Sequence, residues 1–367
     1  MKKTLKGVGF VVVLLVGYLL FWPVAVQPGS WDAPVAPGYV GAHAANTRLA
    51  HLQMIELHGD QGPEHIAFGP DGRLYTGVAS GNILRMQPDG SELEVFVNTG
   101  GRTLGLDFDA SGNLIAADAL KGLLSIAPDR KITVLVDRMD NVPLLFPDAV
   151  IVAKDGKIYF SDASMHFAPK DWGGTFEASV MDLMEGAATG RILVYDPASK
   201  ATTVMARGLS FANGVALSQD QQSLYVNETG KFRVWKIATA ARELDLSQSN
   251  PPTQATVFMD NLPGYPDNLM RAKDGKIWLG LAAPRNPDAD RLSNQPWLRK
   301  VVLRLPRALW PIPKPYGHVF AFTEDGKIVA DLQDPSGIYP TTTSITESGT
   351  RLYVQSLEAK GVGWMAR

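Results

Sequence analysis

The chain has 367 residues, 45% of them hydrophobic, enough to bury a large core as one big β domain or two ordinary ones. Lys and Arg number 35 against 37 Asp and Glu, so no field of one sign points to nucleic acid or to a polyanionic substrate. The absence of cysteine excludes disulfides, thiolate metal sites and a cysteine nucleophile, and leaves oxygen atoms and six histidines as metal ligands.

At the N-terminus, Lys2, Lys3 and Lys6 lead into GVGFVVVLLVGYLLFWPVAV, 20 residues without a charge. At about 1.5 Å per residue this run can cross a hydrocarbon core of roughly 30 Å. A cleaved signal peptide is the competing reading, but its apolar region is usually about 7–15 residues. The longer run here ends in Tyr18 and Trp22, suited to a membrane interface, which favours an uncleaved anchor over residues 1–26. AHAA at Ala42–Ala45 resembles a cleavage site but lies far from the apolar run. Lysines on the cytoplasmic side place the rest of the chain on the extracytoplasmic side, in a periplasm or lumen. The Pro/Gly/Ala-rich residues 27–48 read as a linker.

From residue 49 a hairpin signal recurs. EHIAFGPDGRLYTGV turns at Gly72, LGLDFDASGNLIAAD at Gly112, DAVIVAKDGKIYFSD at Gly156 and DNLMRAKDGKIWLGL at Gly275. Two weaker copies turn near Gln221 and at Gly349. Most are followed by a second pair of short strands, such as ILRMQPDGSELEVFV, RILVYDPASKATTVM and, in the fourth unit, FRVWKIATAARELDL with a distant TQATVFM. Four strands per unit and six units predict an all-β, six-bladed β-propeller over residues 49–367, with a transmembrane helix ahead of it. The last unit runs out at GVGWMAR, one strand short, and the spare segment Leu49–Leu57 is expected to complete it and close the ring.

The residue eight places before each turn forms a column: Glu64, Leu104, Asp148, Asn213, Asp267 and Thr341. Inner strands line the axial channel of a propeller, so one shared register converges on one end of that channel. Carboxylates facing one another there repel unless a cation sits between them. Glu64, Asn213 and Asp267, with Asn268 or Asp148 beside them, offer only oxygen, which suits calcium; zinc prefers nitrogen or sulfur. Strand-entry turn chemistry explains each Asp or Asn singly but not the common register.

Several stretches, GPEHIAFGPDGRLYTG, GRTLGLDFDASGNL, EGAATGRILVYDP, FANGVALSQDQQSLYV, PWLRKVVLRLP and LQDPSG, resemble the strictosidine synthase-like family, including its adipocyte plasma membrane-associated branch. The resemblance runs from about Glu56 to the C-terminus and implies a calcium propeller related to gluconolactonases and paraoxonases. It also implies calcium ligands at Glu64, Asn213, Asp267 and Asn268. Three departures accompany it. Pro147 stands where relatives carry an asparagine before Asp148, leaving one amide ligand to be replaced. Leu104 stands near the paraoxonase catalytic histidine, and Thr341-Thr342-Thr343 where strictosidine synthase carries a glutamate, so the Pictet–Spengler condensation is not expected.

Further features enter the reading. His166, opening the long loop to Gly190, is a candidate for proton transfer alongside Asp267 and Asp148. His65 is expected to pack between blades, Arg102 to meet an anionic substrate or form an ion pair, and His43 and His318 carry no signal. The insertion 283–317 holds a short basic amphipathic segment within residues 295–312, read as a lid, a membrane-resting patch or a helix packed on its own blade. The expectation is a membrane-anchored, calcium-dependent hydrolase of lactones or aryl esters, with a non-catalytic calcium-stabilised binding propeller as the alternative.

Overall fold

The aligned turn residues all adopt the left-handed backbone that a tight hairpin demands: φ is 77° at Gly72, 80° at Gly112, 86° at Gly156, 93° at Gly275 and 58° at both Gly349 and Gln221. Glycine reaches this region without steric cost, which is why five of the six positions carry it. The computed structural model describes residues 2–248, 250 and 252–367, and in it the hairpins build a six-bladed β-propeller.

Each blade is built on four antiparallel strands, the inner one facing the axis. These inner strands are Ile66–Phe68, Thr103–Phe108, Pro147–Val152, Ala212–Leu217, Gly264–Arg271 and Thr342–Ser348, in chain order around the ring. The expected closure is present: Gln53–Glu56 pairs antiparallel with Gly361–Ala366 and supplies the outer strand of blade six. Ile55 of this strand is buried, as are Leu49 and Leu57 on either side of it. Blade four takes Ala255–Met259 as its outer strand, as expected. The segment ahead of it differs, because Leu244–Asp245 adds in parallel to Ala201–Leu209 of blade three. There Leu244 joins the cluster of Met205 and Ala206, so burial outweighs sequence proximity.

The chain is mostly β rather than all-β. Helix α1 covers Lys2–Phe21, α2 Thr175–Glu185, α3 Pro287–Leu292 and α4 Pro296–Leu303. Helix α1 exposes Phe10, Val11, Leu14 and Phe21, yet among the described residues no helix is long and apolar enough to cross a membrane. The side chains of Lys2 and Lys3, on which the expected orientation partly rests, lie outside the described residues.

The segment after α1 differs from a loose linker. Val26 is buried, Gln27 N donates to Glu185 Oε1 at 2.9 Å, Gly29 N to Glu185 O at 2.8 Å and Trp31 N to Ser293 O at 3.2 Å. The backbone groups of a loose linker lack protein partners, and here they have them.

Candidate metal and ligand site

The six residues of the sequence column, Glu64, Leu104, Asp148, Asn213, Asp267 and Thr341, all line one cavity of about 380 Å³ at an end of the propeller axis. Adjacent inner strands approach closely there. A Cβ on Gly105 would stand 2.6 Å from Asp148 O, and one on Gly214 would meet Asp267 O still closer, so glycine permits the packing that brings the column together.

The strand heads are irregular at the positions that matter. Register shifts fall between Thr103 and Gly105, Pro147 and Val150, Ala212 and Val215, Pro266 and Leu269, and Thr342 and Ser344. Consecutive residues of a regular strand point to opposite faces. A bulge breaks that alternation, and Asp267 and Asn268 both lie inside one, as do Asp148 and Asn213 in theirs.

Five oxygens in this region are buried and have no hydrogen-bond partner: Glu64 Oε2, Asp148 Oδ1, Asn213 Oδ1, Asp267 Oδ1 and Asn268 Oδ1. The nitrogen end of the Asn268 amide is occupied, Nδ2 donating to Glu64 O at 3.3 Å. Around them, Thr343 Oγ1 donates to Glu64 O at 2.6 Å, Thr229 Oγ1 to Pro266 O at 2.7 Å, and Asn227 Nδ2 to Asp267 O. The backbone beneath the ring is therefore pinned while its side-chain oxygens stay free.

Electrostatics follow the same pattern. Burial pushes the Glu64 carboxyl up to about 7 against the pull of Arg102. Burial also holds Asp148 and Asp267 well above the usual carboxylate range, and the charge of Glu64 adds to the shift in each. Arg102 is an ion-pair residue, one of the two expectations for it: Nη2 lies 3.6 Å from Glu64 Oε2 and donates to Gly62 O at 2.9 Å. With the three acids ionised, this guanidinium leaves the ring with a formal charge of two negative units, which one divalent cation balances. Five protein oxygens also fit the ligand number and hard-donor chemistry of calcium, with waters completing about 6–8.

Above the ring the cavity is apolar. Phe176, Val180 and Leu183 of α2 form one wall, and Trp31, Trp310 and Ile312 close over it. Arg299 of α4 ties these pieces together. Its guanidinium donates to Met184 O at 3.1 Å, Glu185 O at 3.3 Å, Ser293 O at 3.0 Å and Gly29 O. Residues of the insertion, Leu292, Ser293, Arg299 and Trp310 among them, thus line the cavity as its roof.

Other sequence candidates lie elsewhere. His166 does not reach the cavity; its side chain is half-exposed and Nδ1 sits 2.6 Å from Glu185 Oε2. His65 is buried outside the cavity lining, as expected, and burial lowers its pKa to about 4. Sequence reasoning missed Asn227, whose support of Asp267 crosses from one blade to the next. It also passed over His43 and His318, which share the Asp331 carboxylate.

Residues 41–86 match the family described as strictosidine synthase-like, N-terminal, and residues 148–241 match strictosidine synthase. The adipocyte plasma membrane-associated protein of Salmo salar is 32% identical over 382 residues, covering 97% of this chain and 87% of that protein. Strictosidine synthase-like protein 6 of Arabidopsis thaliana is 34% identical over 310 residues, covering 80% and 76%. Among solved structures, a gluconolactonase from Xanthomonas campestris is 20% identical with a TM-score of 0.59, covering 93% of this chain and 96% of that one. The calcium-binding protein regucalcin from Agrobacterium tumefaciens is 16% identical with a TM-score of 0.56, covering 86% and 93%. At these identities the two structures speak for the propeller fold alone.

Proposed function

Because the chain belongs to the strictosidine synthase-like family, we propose that it is a calcium-dependent hydrolase of lactones or aryl esters, held to a membrane by α1 with its propeller on the extracytoplasmic side. The observation that carries this reading is the set of five buried oxygens without a hydrogen-bond partner, from Glu64, Asp148, Asn213, Asp267 and Asn268, beneath an apolar cavity. Calcium bound there supplies Lewis-acid polarisation of an ester or lactone carbonyl. Pro147 leaves no amide at the head of blade three, and the Asp148 carboxylate takes that place in the ligand set. The apolar walls from α2 and the roof hold the acyl or aryl part of the substrate and exclude bulk water. Asp148 or Asp267, ionised, accepts a proton from the attacking water, or attacks the carbonyl carbon and breaks the ester C–O bond, so that the alkoxide leaves as the alcohol and water then hydrolyses the acyl-carboxylate anhydride to free the aspartate.

The test is a screen of lactones, aryl esters and phosphotriesters on the full-length protein. Turnover of at least one of these, abolished by a calcium chelator and restored by calcium, is the expected result. One observation favours the alternative of a non-catalytic binding propeller: Leu104 occupies its place in the ring and, among the described residues, no histidine lines the cavity. Tight calcium binding without hydrolysis across the screen would establish that alternative.

The anchor rests on the apolar, exposed surface of α1 and on relatives named for the plasma membrane. Arg304 supports the junction, donating to Leu19 O at 2.9 Å and Trp22 O at 2.6 Å at the end of the helix. Purified protein is expected to keep its N-terminus and to need detergent. N-terminal sequencing that finds mature chains beginning after Ala44 contradicts the anchor.

A further inference from the structure

A second cluster of ligating groups lies away from the cavity, where residues 43–49 run along the outer strand of blade five. His318 sits on the strand Gly317–Phe322 opposite Gln333 of Ile328–Asp334. Asp331, two residues before Gln333, therefore shares a face with His318. His43, at the end of the short turn Gly41–His43, comes down onto the same face. His43 Nδ1 and His318 Nε2 each lie 2.8 Å from the same oxygen, Asp331 Oδ2. All three ligand atoms fall within 4.8 Å of one another.

The surroundings orient these groups. Asp331 Oδ1 accepts hydrogen bonds from Asn46 Nδ2 at 2.9 Å and from Gln333 Nε2 at 2.5 Å, which leaves Oδ2 facing the imidazoles. Ligating carboxylates are held in this way by outer partners. Phe320 packs edge-on against His43 with ring centroids 4.8 Å apart. Burial favours the neutral form of His318, the form that ligates metals. Two nearby polar atoms are buried without partners: His318 Nδ1 and the hydroxyl of Tyr39, whose ring centroid is 5.6 Å from that of His318.

We propose that His43, His318 and Asp331 bind a transition-metal ion of the zinc class that staples the N-terminal strap to blade five. Two imidazoles and one carboxylate select such ions over calcium or magnesium, which take oxygen. Ligand distances of about 2.0–2.2 Å need a spread of a few tenths of an ångström, which rotation of the Asp331 side chain provides. A fourth position stays open to water on the partly exposed side of His43. The strap leads directly to the strand that closes the ring: Gln333 Nε2 donates to His43 O at 3.1 Å, Gln333 N to Asn46 Oδ1 at 3.0 Å, and Leu49 N to Gln333 O at 2.9 Å. A metal here therefore locks the seam on which closure depends, independently of the oxygen ring.

The test strips full-length protein of metal with a chelator and titrates it with Co²⁺, read by visible ligand-field absorption, followed by displacement with Zn²⁺. One Co²⁺ per chain, displaced by Zn²⁺ with a rise in melting temperature, is the expected result. His43→Gln, at the half-buried edge where folding is least disturbed, should abolish the absorption. Gln333→Ala should weaken binding about tenfold or more. Asp267→Asn should leave the Co²⁺ spectrum unchanged, which separates this site from the ring. No visible spectrum in the parent protein, or a spectrum unaltered in a folded His43→Gln protein, overturns the proposal.

Discussion

A buried carboxylate oxygen without a partner costs on the order of several kcal/mol if it stays charged, so Asp267 Oδ1 and Asp148 Oδ1 have to be explained by what they face rather than by local turn chemistry. The register that brings them together was legible in the sequence, because the turn residues mark each hairpin and eight residues back is the same place in every blade. The partners were not. Asn227 and His43 act on residues that are distant in the chain, and no periodicity announces them; for Arg102 the ion pair was expected, but not that Glu64 is its partner. Asp182 of α2 is a further buried acid with no place in the ring, raised to about 7 by burial first, with Glu185 adding to the shift. Its folded value lies above its unfolded one, so the stability it contributes is fully present below about pH 4 and is lost as pH rises to about 7. One such group changes stability by at most about 1.4 kcal/mol per pH unit. Asp182→Asn should therefore flatten the decline in stability between pH 4 and pH 7, measured by urea unfolding; an unchanged pH profile would show that Asp182 ionises freely in the folded protein.

The strand Gln53–Glu56 shows what an element contributes when it is the last piece of a ring. Its short paired stretch would matter little in the middle of a sheet, but it carries Ile55 and is flanked by Leu49 and Leu57, all buried. Each such side chain contributes roughly 1.5–3 kcal/mol, and three together approach the whole stability of a typical domain, about 5–15 kcal/mol. Deleting Leu49–Leu57 also leaves Gly361–Ala366 as an unpaired edge. The truncated protein should aggregate or melt far below the parent in a thermal scan, and equal melting would mean the ring closes without this strand. At this scale the sequence revealed the hairpins, the closure and the helix at 296–303, because alternation and turn residues are local signals. It did not reveal that residues 24–31, α2 and the insertion assemble into one roof. That assembly rests on Arg299 and on backbone hydrogen bonds between segments more than a hundred residues apart.

For the molecule as a whole, sixfold repetition brings one register position per blade to a single axis, and the non-repeating segments cover that point. The blades supply the oxygens and the inserted helices supply the apolar walls, so the ring and the cavity above it form one site. The proposed hydrolase requires that the ring hold calcium. Calorimetric calcium titration of the full-length protein and of its Asp267→Asn variant tests this most directly. One calcium ion per chain in the parent protein, with affinity lowered about tenfold or more in a folded Asp267→Asn protein that keeps the side chain's size but removes a charge, is the predicted result; equal binding by the two proteins, or none by the parent, would contradict it.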